Sequence, residues 1–148
     1  MSNTRLIPFE TTLHVRDTCL CLHAQRAARA LARRFDKALK PFGLTNGQFS
    51  LLMSLNRPEP PVMSDVAELL ALDRTTLTAA LKPLARDGYV EILPDPKDRR
   101  SRRLKLSDRG LEKLASALPA WQAQHEALEK EMPQGEIERL RQGLLLIA

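Results

Sequence analysis

The chain has 148 residues, 43% of them apolar and 28% charged, with 23 Lys/Arg against 18 Asp/Glu for a formal net charge of +5. That balance suits one compact domain with helical extensions and excludes wholesale disorder. No apolar run nears the ~18 residues of a membrane span, and Arg5, Glu10, His14, Arg16 and Asp17 leave no signal-peptide apolar block, so a cytoplasmic protein with reduced thiols is expected.

Residues 17–42 read as one long helix, with Leu20, Ala24, Ala27, Leu31, Phe35, Ala38 and Phe42 on one stripe and Arg26, Arg29, Arg33 and Lys37 opposite. Pro41 and Gly43 end it. Thr45 and Gln48 form a capping box that opens a short helix with Phe49, Leu52 and Leu55 facing inward. The proline-rich connector 57–62 cannot be helical throughout. Ser64 is expected to cap a third helix that buries Val66, Ala67, Leu69 and Leu70. After the turn Leu72-Asp73, Asp73 caps a fourth helix with Leu77, Leu81 and Leu84 inside and Gly88 as its stop. Residues 89–93 alternate like a half-buried strand, 94–98 make a turn, and a second strand returns with Leu104 and Leu106 on one face. Ser107 caps a long polar helix to about Glu131, kinked at Pro119; Met132-Pro133 break it. A last helix from about Gln134 carries Ile137, Leu140 and Leu144.

The fold class is therefore mainly α with a small β-hairpin wing, a winged helix-turn-helix between N- and C-terminal helices. The expected divisions are 1–43, an arm and first dimerisation helix; 44–107, the winged domain; and 108–148, C-terminal dimerisation helices. Charge supports that division. Residues 1–43 hold eight Lys/Arg and three Asp/Glu, and residues 95–109 hold seven and three, while 44–94 and 111–148 each hold four and six. A basic run by itself is more often a solvated face; here it directly follows a tight helix pair. The second helix of such a pair fits the major groove of DNA. Arg74, Thr75, Thr76, Thr78, Lys82 and Arg86 lie off its leucine stripe and must face outward. Threonines suit phosphates, bases or thymine methyls, and Lys82 and Arg86 suit phosphates. The Ser64 helix end offers free N–H groups to a phosphate. In the wing, Arg99, Arg100, Arg102 and Arg103 are candidates to enter a narrow minor groove.

Through residues 43–52 (GLTNGQFSLL), 64–90 (SDVAELLALDRTTLTAALKPLARDGYV) and above all 95–110 (DPKDRRSRRLKLSDRG), the sequence resembles the MarR family of bacterial transcription regulators. The resemblance covers nearly the whole chain. It implies a homodimer with intertwined terminal helices, bound to a pseudo-palindromic double-stranded operator, with recognition helices about one helical turn apart, roughly 34–36 Å. It implies a repressor released by a small lipophilic or phenolic effector held between the dimer helices and the winged domain. It also implies that Asp98 orients Arg100 into the minor groove. Ala79 and Pro83 depart from the family's recognition helix, so the operator sequence does not carry over; Pro83 deletes a helix hydrogen bond.

One branch of that family senses organic hydroperoxides through a cysteine 22 residues before the glycine of its G-L-T motif, and Cys21 stands 22 before Gly43. The branch's activating tyrosines are replaced by Gln25 and Phe35. Cys19 is the only other thiol. On a shared helix two residues turn about 200°, so Cys19 and Cys21 would point apart, and a disulfide would require that turn to unwind. The bland alternative is Cys21 as a small buried hydrophobe beside the apolar stripe. Cys19-x-Cys21-x-His23 is no metal site on a helix, because alternating residues share a face only on a strand; no metal and no cofactor is expected. His125 belongs on a polar helix face. An enzyme is disfavoured, since there is no phosphate loop, no HExxH and no paired nucleophile. Single-strand RNA recognition is disfavoured because no aromatic interleaves the basic segment.

Overall fold

The computed structural model describes residues 6–148. In chain order it contains α1 (Phe9–Thr18), α2 (Leu20–Leu39), a 3₁₀ turn (Lys40–Phe42), α3 (Asn46–Ser54), α4 (Met63–Leu69), α5 (Arg74–Arg86), β1 (Val90–Pro94), β2 (Arg102–Leu106), α6 (Asp108–Glu131) and α7 (Glu136–Leu145). Two compact units result, one ending at Arg34 and the other running Phe35–Ala148.

The helix expected over 17–42 is α2, which starts only at Leu20 and gives way to the 3₁₀ turn after Leu39, and α1 precedes it where no helix was expected. Cys19 leaves helical geometry at φ −65°, ψ 107°. Its sulfur accepts the Leu22 N–H at 3.5 Å and its carbonyl accepts the His23 N–H at 3.1 Å, so Cys19 caps α2 instead of continuing α1. A thiol in place of the usual Ser or Asp is why the cap carries no recognisable sequence signature. No α1 residue is buried, and Leu20 and Leu31 of the expected stripe stay exposed in the single chain.

The second unit is built on local rules. The Thr45 hydroxyl accepts the Gln48 N–H at 3.2 Å while the Gln48 side chain accepts the Thr45 N–H at 3.0 Å, completing the box. Asp36 adds a tie from the end of α2, accepting the Asn46 backbone and side-chain N–H at 2.7 and 2.8 Å. Those two bonds, the backbone one larger, hold the Asp36 carboxyl below its ordinary pKa. Phe49, Leu51, Leu52, Leu55, Leu77, Leu81, Leu84, Leu104 and Leu114 close one core, with Leu39 as the contribution of α2. Phe35 and Trp121 pack near it, and Trp121 stacks on Phe49 with ring centroids 6.0 Å apart.

Ser64 does not cap α4. The helix starts at Met63 with Val62 as its non-bonding cap residue, because the chain enters α4 already paired: Val62 bridges to Arg103 and the Leu104 N–H donates to Pro61 O at 2.9 Å. Leu69 is 57% exposed where burial was expected. A seven-residue helix offers the core one stripe, and Met63, Val66, Ala67 and Leu70 fill it.

α4 joins α5 through Ala71, whose φ of 53° is the one positive value on a non-glycine among the described residues. α5 runs unbroken through Pro83, and α6 through Pro119. β1 and β2 pair antiparallel from Val90↔Leu106 to Pro94↔Arg102. At the root of this hairpin Ser107 donates to Gly88 O at 2.6 Å and accepts the Gly110 N–H at 3.0 Å. α6 lies so close that a Cβ on Gly110 would stand 2.2 Å from Tyr89 O. α7 begins after Gly135, slightly later than expected. His125 is not on a polar face: its ring is 5.1 Å from Trp121 and 6.4 Å from Phe35, and Nδ1 lies 3.4 Å from Glu129. The i, i+4 spacing from Trp121 brings it to the aromatic side.

Candidate nucleic-acid interface

α5 is oriented by its leucines. With Leu77, Leu81 and Leu84 at most 1% exposed, the remaining faces must turn to solvent, and Arg74, Thr75, Thr76, Thr78, Ala79, Lys82 and Arg86 are all exposed. Asp73 fixes the start of the helix, accepting the Thr76 N–H at 2.7 Å and the Thr76 hydroxyl at 2.9 Å. These bonds, the backbone one first, keep the Asp73 carboxyl ionised below its usual range. The Thr78 hydroxyl donates to Arg74 O at 2.8 Å. Thr76 and Thr78 thus offer a ligand only lone pairs, whereas the Thr75 hydroxyl makes no such bond among the described residues. Near the other end, Arg86 pairs with Asp87 at 3.1 Å.

The wing tip is built by two aspartates. Asp95 accepts the Lys97 N–H at 3.1 Å and Asp98 accepts the Arg100 N–H at 2.9 Å, each a turn closed two residues on. Asp98 therefore fixes the backbone of Arg100, whose residue stays exposed. Arg102 donates to Arg99 O and Ser101 O at 3.2 and 3.1 Å. Arg74 reaches across from α5 to Arg100 O at 3.5 Å. Arg103 does not belong with the exposed wing arginines: it pairs with the buried Asp95 at 3.3 Å. The Asp95 carboxyl is held below its ordinary pKa chiefly by the Lys97 N–H, aided by Arg103 and opposed by partial burial.

Ser64, Arg74, Asp98, Arg100, Ser101 and Arg102 share one cleft of about 380 Å³ between α4, the start of α5 and the wing. Five of the twelve expected interface residues thus converge, and Arg103 is the one turned inward. Thr75, Thr76, Thr78, Lys82 and Arg86 extend from it along α5, with Arg99 on the wing loop. Sequence reading missed the Asp95–Arg103 pair and the Asp36–Asn46 tie. An acid opening a hairpin loop and a base on its return strand was the available signal for the first.

The described residues hold no group of three His, Cys, Asp or Glu placed for a metal ion. His23 Nδ1 lies 2.7 Å from Cys19 O, not from a sulfur. Cys21 is exposed rather than buried, and its sulfur accepts from Gln25 Nε2 at 3.4 Å. Cys21 lies in the first turn of α2, two residues after the break at Cys19.

The MarR family model matches residues 44–101. The *Mycobacterium tuberculosis* transcriptional regulator MosR, solved in complex with DNA, superposes with a TM-score of 0.79 at 33% identity, covering 87% of this chain and 92% of that one. This chain belongs to the MarR family. A mutant of *Escherichia coli* MarR complexed with operator DNA shares the fold at a TM-score of 0.80 and 25% identity, over 91% of this chain and 97% of its own. The HTH-type transcriptional regulator BilQ of *Clostridioides difficile* is 29% identical over 112 residues, 76% of each chain. As a MarR-family protein the chain is a DNA-binding transcriptional regulator and not an enzyme, with a helical fold and a two-stranded wing. Among the described residues no helix is long and apolar enough to cross a membrane.

Proposed function

We propose that this regulator is a cytoplasmic homodimeric repressor that grips a pseudo-palindromic operator and is released by a small lipophilic or phenolic effector. The observation that carries the DNA-binding part is the cleft in which Arg74 of α5 and Arg100 and Arg102 of the wing meet Ser64. The N-terminal turn of α5, with Arg74, Thr75, Thr76 and Thr78, enters the major groove, and Lys82 and Arg86 reach phosphates. Arg100, shaped by Asp98 and flanked by Arg99 and Arg102, enters the minor groove, where narrow A·T tracts attract a guanidinium.

The homodimer reading rests on apolar surface. The divisions proposed to supply it are 1–43, whose first five residues lie outside the described ones, and 108–148, with Ile137, Leu140 and Leu144 on one stripe of α7 and residues 44–107 left to the duplex. Leu140 and Leu144 are exposed in the single chain, as are Leu145, Leu146 and Ile147, a patch that calls for a partner. The aromatic surface of Phe35, Trp121 and His125 supports an effector with a ring. Such an effector acts by binding one spacing of the two winged domains better than the other.

The test uses a duplex selected by the wild-type protein from a random-sequence pool. Arg100→Ala is expected to lower affinity about 10- to 100-fold, the range of a lost base-edge contact, while sedimentation shows the dimer intact. Unchanged affinity sinks the wing assignment.

A thiol-based reading has one observation in its favour: Cys21 is exposed, and Cys19 stands outside the helix that was expected to hold the two thiols apart. Here an organic hydroperoxide oxidises the Cys21 thiolate to a sulfenic acid, releasing the alcohol. The Cys19 thiol then displaces water to form the disulfide. Cys21→Ser abolishes hydroperoxide-induced release from the selected duplex if this reading holds; equal release from variant and wild type removes it.

A further inference from the structure

Arg103 stands on β2 opposite Leu93, among arginines that face solvent, yet its side chain is only 27% exposed. Its guanidinium joins three segments. Nη1 donates to Pro60 O at 2.8 Å, in the proline-rich connector, and Nε donates to Asp95 Oδ1 at 3.3 Å, where β1 passes into the wing tip. The backbone repeats the same link, since Val62 bridges to Arg103 and Leu104 N–H donates to Pro61 O at 2.9 Å. The connector therefore runs along β2 as a third edge of the hairpin, and immediately afterwards it becomes α4. Proline at 60 and 61 has no N–H to give, so the carbonyls alone are available, and a side-chain donor is needed to use that of Pro60.

Asp95 is the other half of the device. The oxygen that accepts from Arg103 also accepts the Lys97 N–H, so one carboxylate both closes the tip turn and receives the guanidinium. A planar fork serves both partners at once; an ammonium at the end of a flexible stem does not reproduce it.

We propose that Arg103 is a positioning residue for DNA binding. It fastens the wing to the connector that leads into α4, so that Arg100 and Ser64, which line one cleft, meet the duplex at a fixed spacing. Arg103 itself touches no DNA. The inference rests on the wing assignment made above, and the experiment separates the two.

The experiment is a double-mutant cycle on the full chain, with affinity measured for the duplex selected by the wild-type protein. Arg103→Ala is expected to cost about tenfold when Arg100 is present, the scale of a lost hydrogen bond to a charged group. In an Arg100→Ala background the same change is expected to cost less than about twofold, because the residue being positioned is gone. Arg103→Lys should fall between wild type and Arg103→Ala with the same background dependence, and it serves if Arg103→Ala folds poorly. Amide exchange gives a second readout: the N–H groups of Lys97 and Leu104 should exchange faster in either variant, while that of Leu81 in the core keeps its protection. An equal loss in both backgrounds overturns the proposal, since a general destabilisation is indifferent to Arg100. If Arg100→Ala alone costs nothing, the wing assignment falls and takes this inference with it.

Discussion

Leu77, Leu81 and Leu84 on α5 are each at most 1% exposed, whereas Leu140, Leu144 and Leu145 on α7 stand 47, 57 and 69% exposed. The two helices are similarly patterned in sequence, with leucines at three- and four-residue spacing. What differs is what the chain itself supplies opposite them. α5 finds α4, β1 and the rest of one core, so its polar face is forced outward, and that is the face proposed above to meet DNA. On α7 the leucines Leu140, Leu144 and Leu145 stay exposed among the described residues. The winged domain thus buries its leucines within one chain, while the exposed leucines of α7 are the surface on which the proposed homodimer rests.

The sharpest way to break that contrast is to remove residues 133–148. Self-association should be lost, with the remaining chain running as a monomer in light scattering; a stable truncated dimer would mean that the α7 leucines cover something else. Next in size, Leu81→Ala should cost about 2–5 kcal/mol of folding stability, as buried leucines generally do. In denaturant titration that loss should be the same at every protein concentration. Leu144→Ala should show the opposite behaviour, its effect on the midpoint vanishing as the protein is diluted below its association range. A smaller effect belongs to the hairpin root: Ser107→Ala removes the α6 cap and the bond to Gly88, and about 1 kcal/mol is expected from thermal unfolding.

Acid sharpens the contrast from another side. The carboxyls held below their ordinary pKa, Asp36, Asp73 and Asp95, all belong to the second unit and are bonded to backbone or Arg103. A depressed folded-state pKa contributes stability that is fully present above the unfolded value, about 3.9, and is lost as pH falls through the folded one. The thermal midpoint should therefore hold between pH 7 and 5 and drop below about pH 4. Asp73→Asn should flatten that drop, and an unchanged acid profile would show that the helix cap contributes nothing.

Much of the winged domain was legible because its determinants are local. Thr45 with Gln48, Asp73 before Arg74 and Ser107 before Asp108 are caps whose partners lie three residues on, and the α5 leucines follow one period. Ser64 misled because the entry to α4 is fixed from 40 positions away, by β2, and not by the residues beside it. Cys19 misled because its thiol does a hydroxyl's work. Arg103 read as one more wing cation; nothing in its neighbourhood in sequence names Pro60 as its acceptor. At the interface, residue types and faces were evident, while their division between the cleft and the open flank of α5 depended on the folded wing. His125 was misread although its four-residue spacing from Trp121 was visible, because which face of α6 carries the aromatic contacts depends on Phe35 and Phe49.

The fit at Gly110 has a mechanical consequence. Only a hydrogen atom clears the Tyr89 carbonyl there, so any side chain at 110 would prise the foot of the hairpin off the first turn of α6.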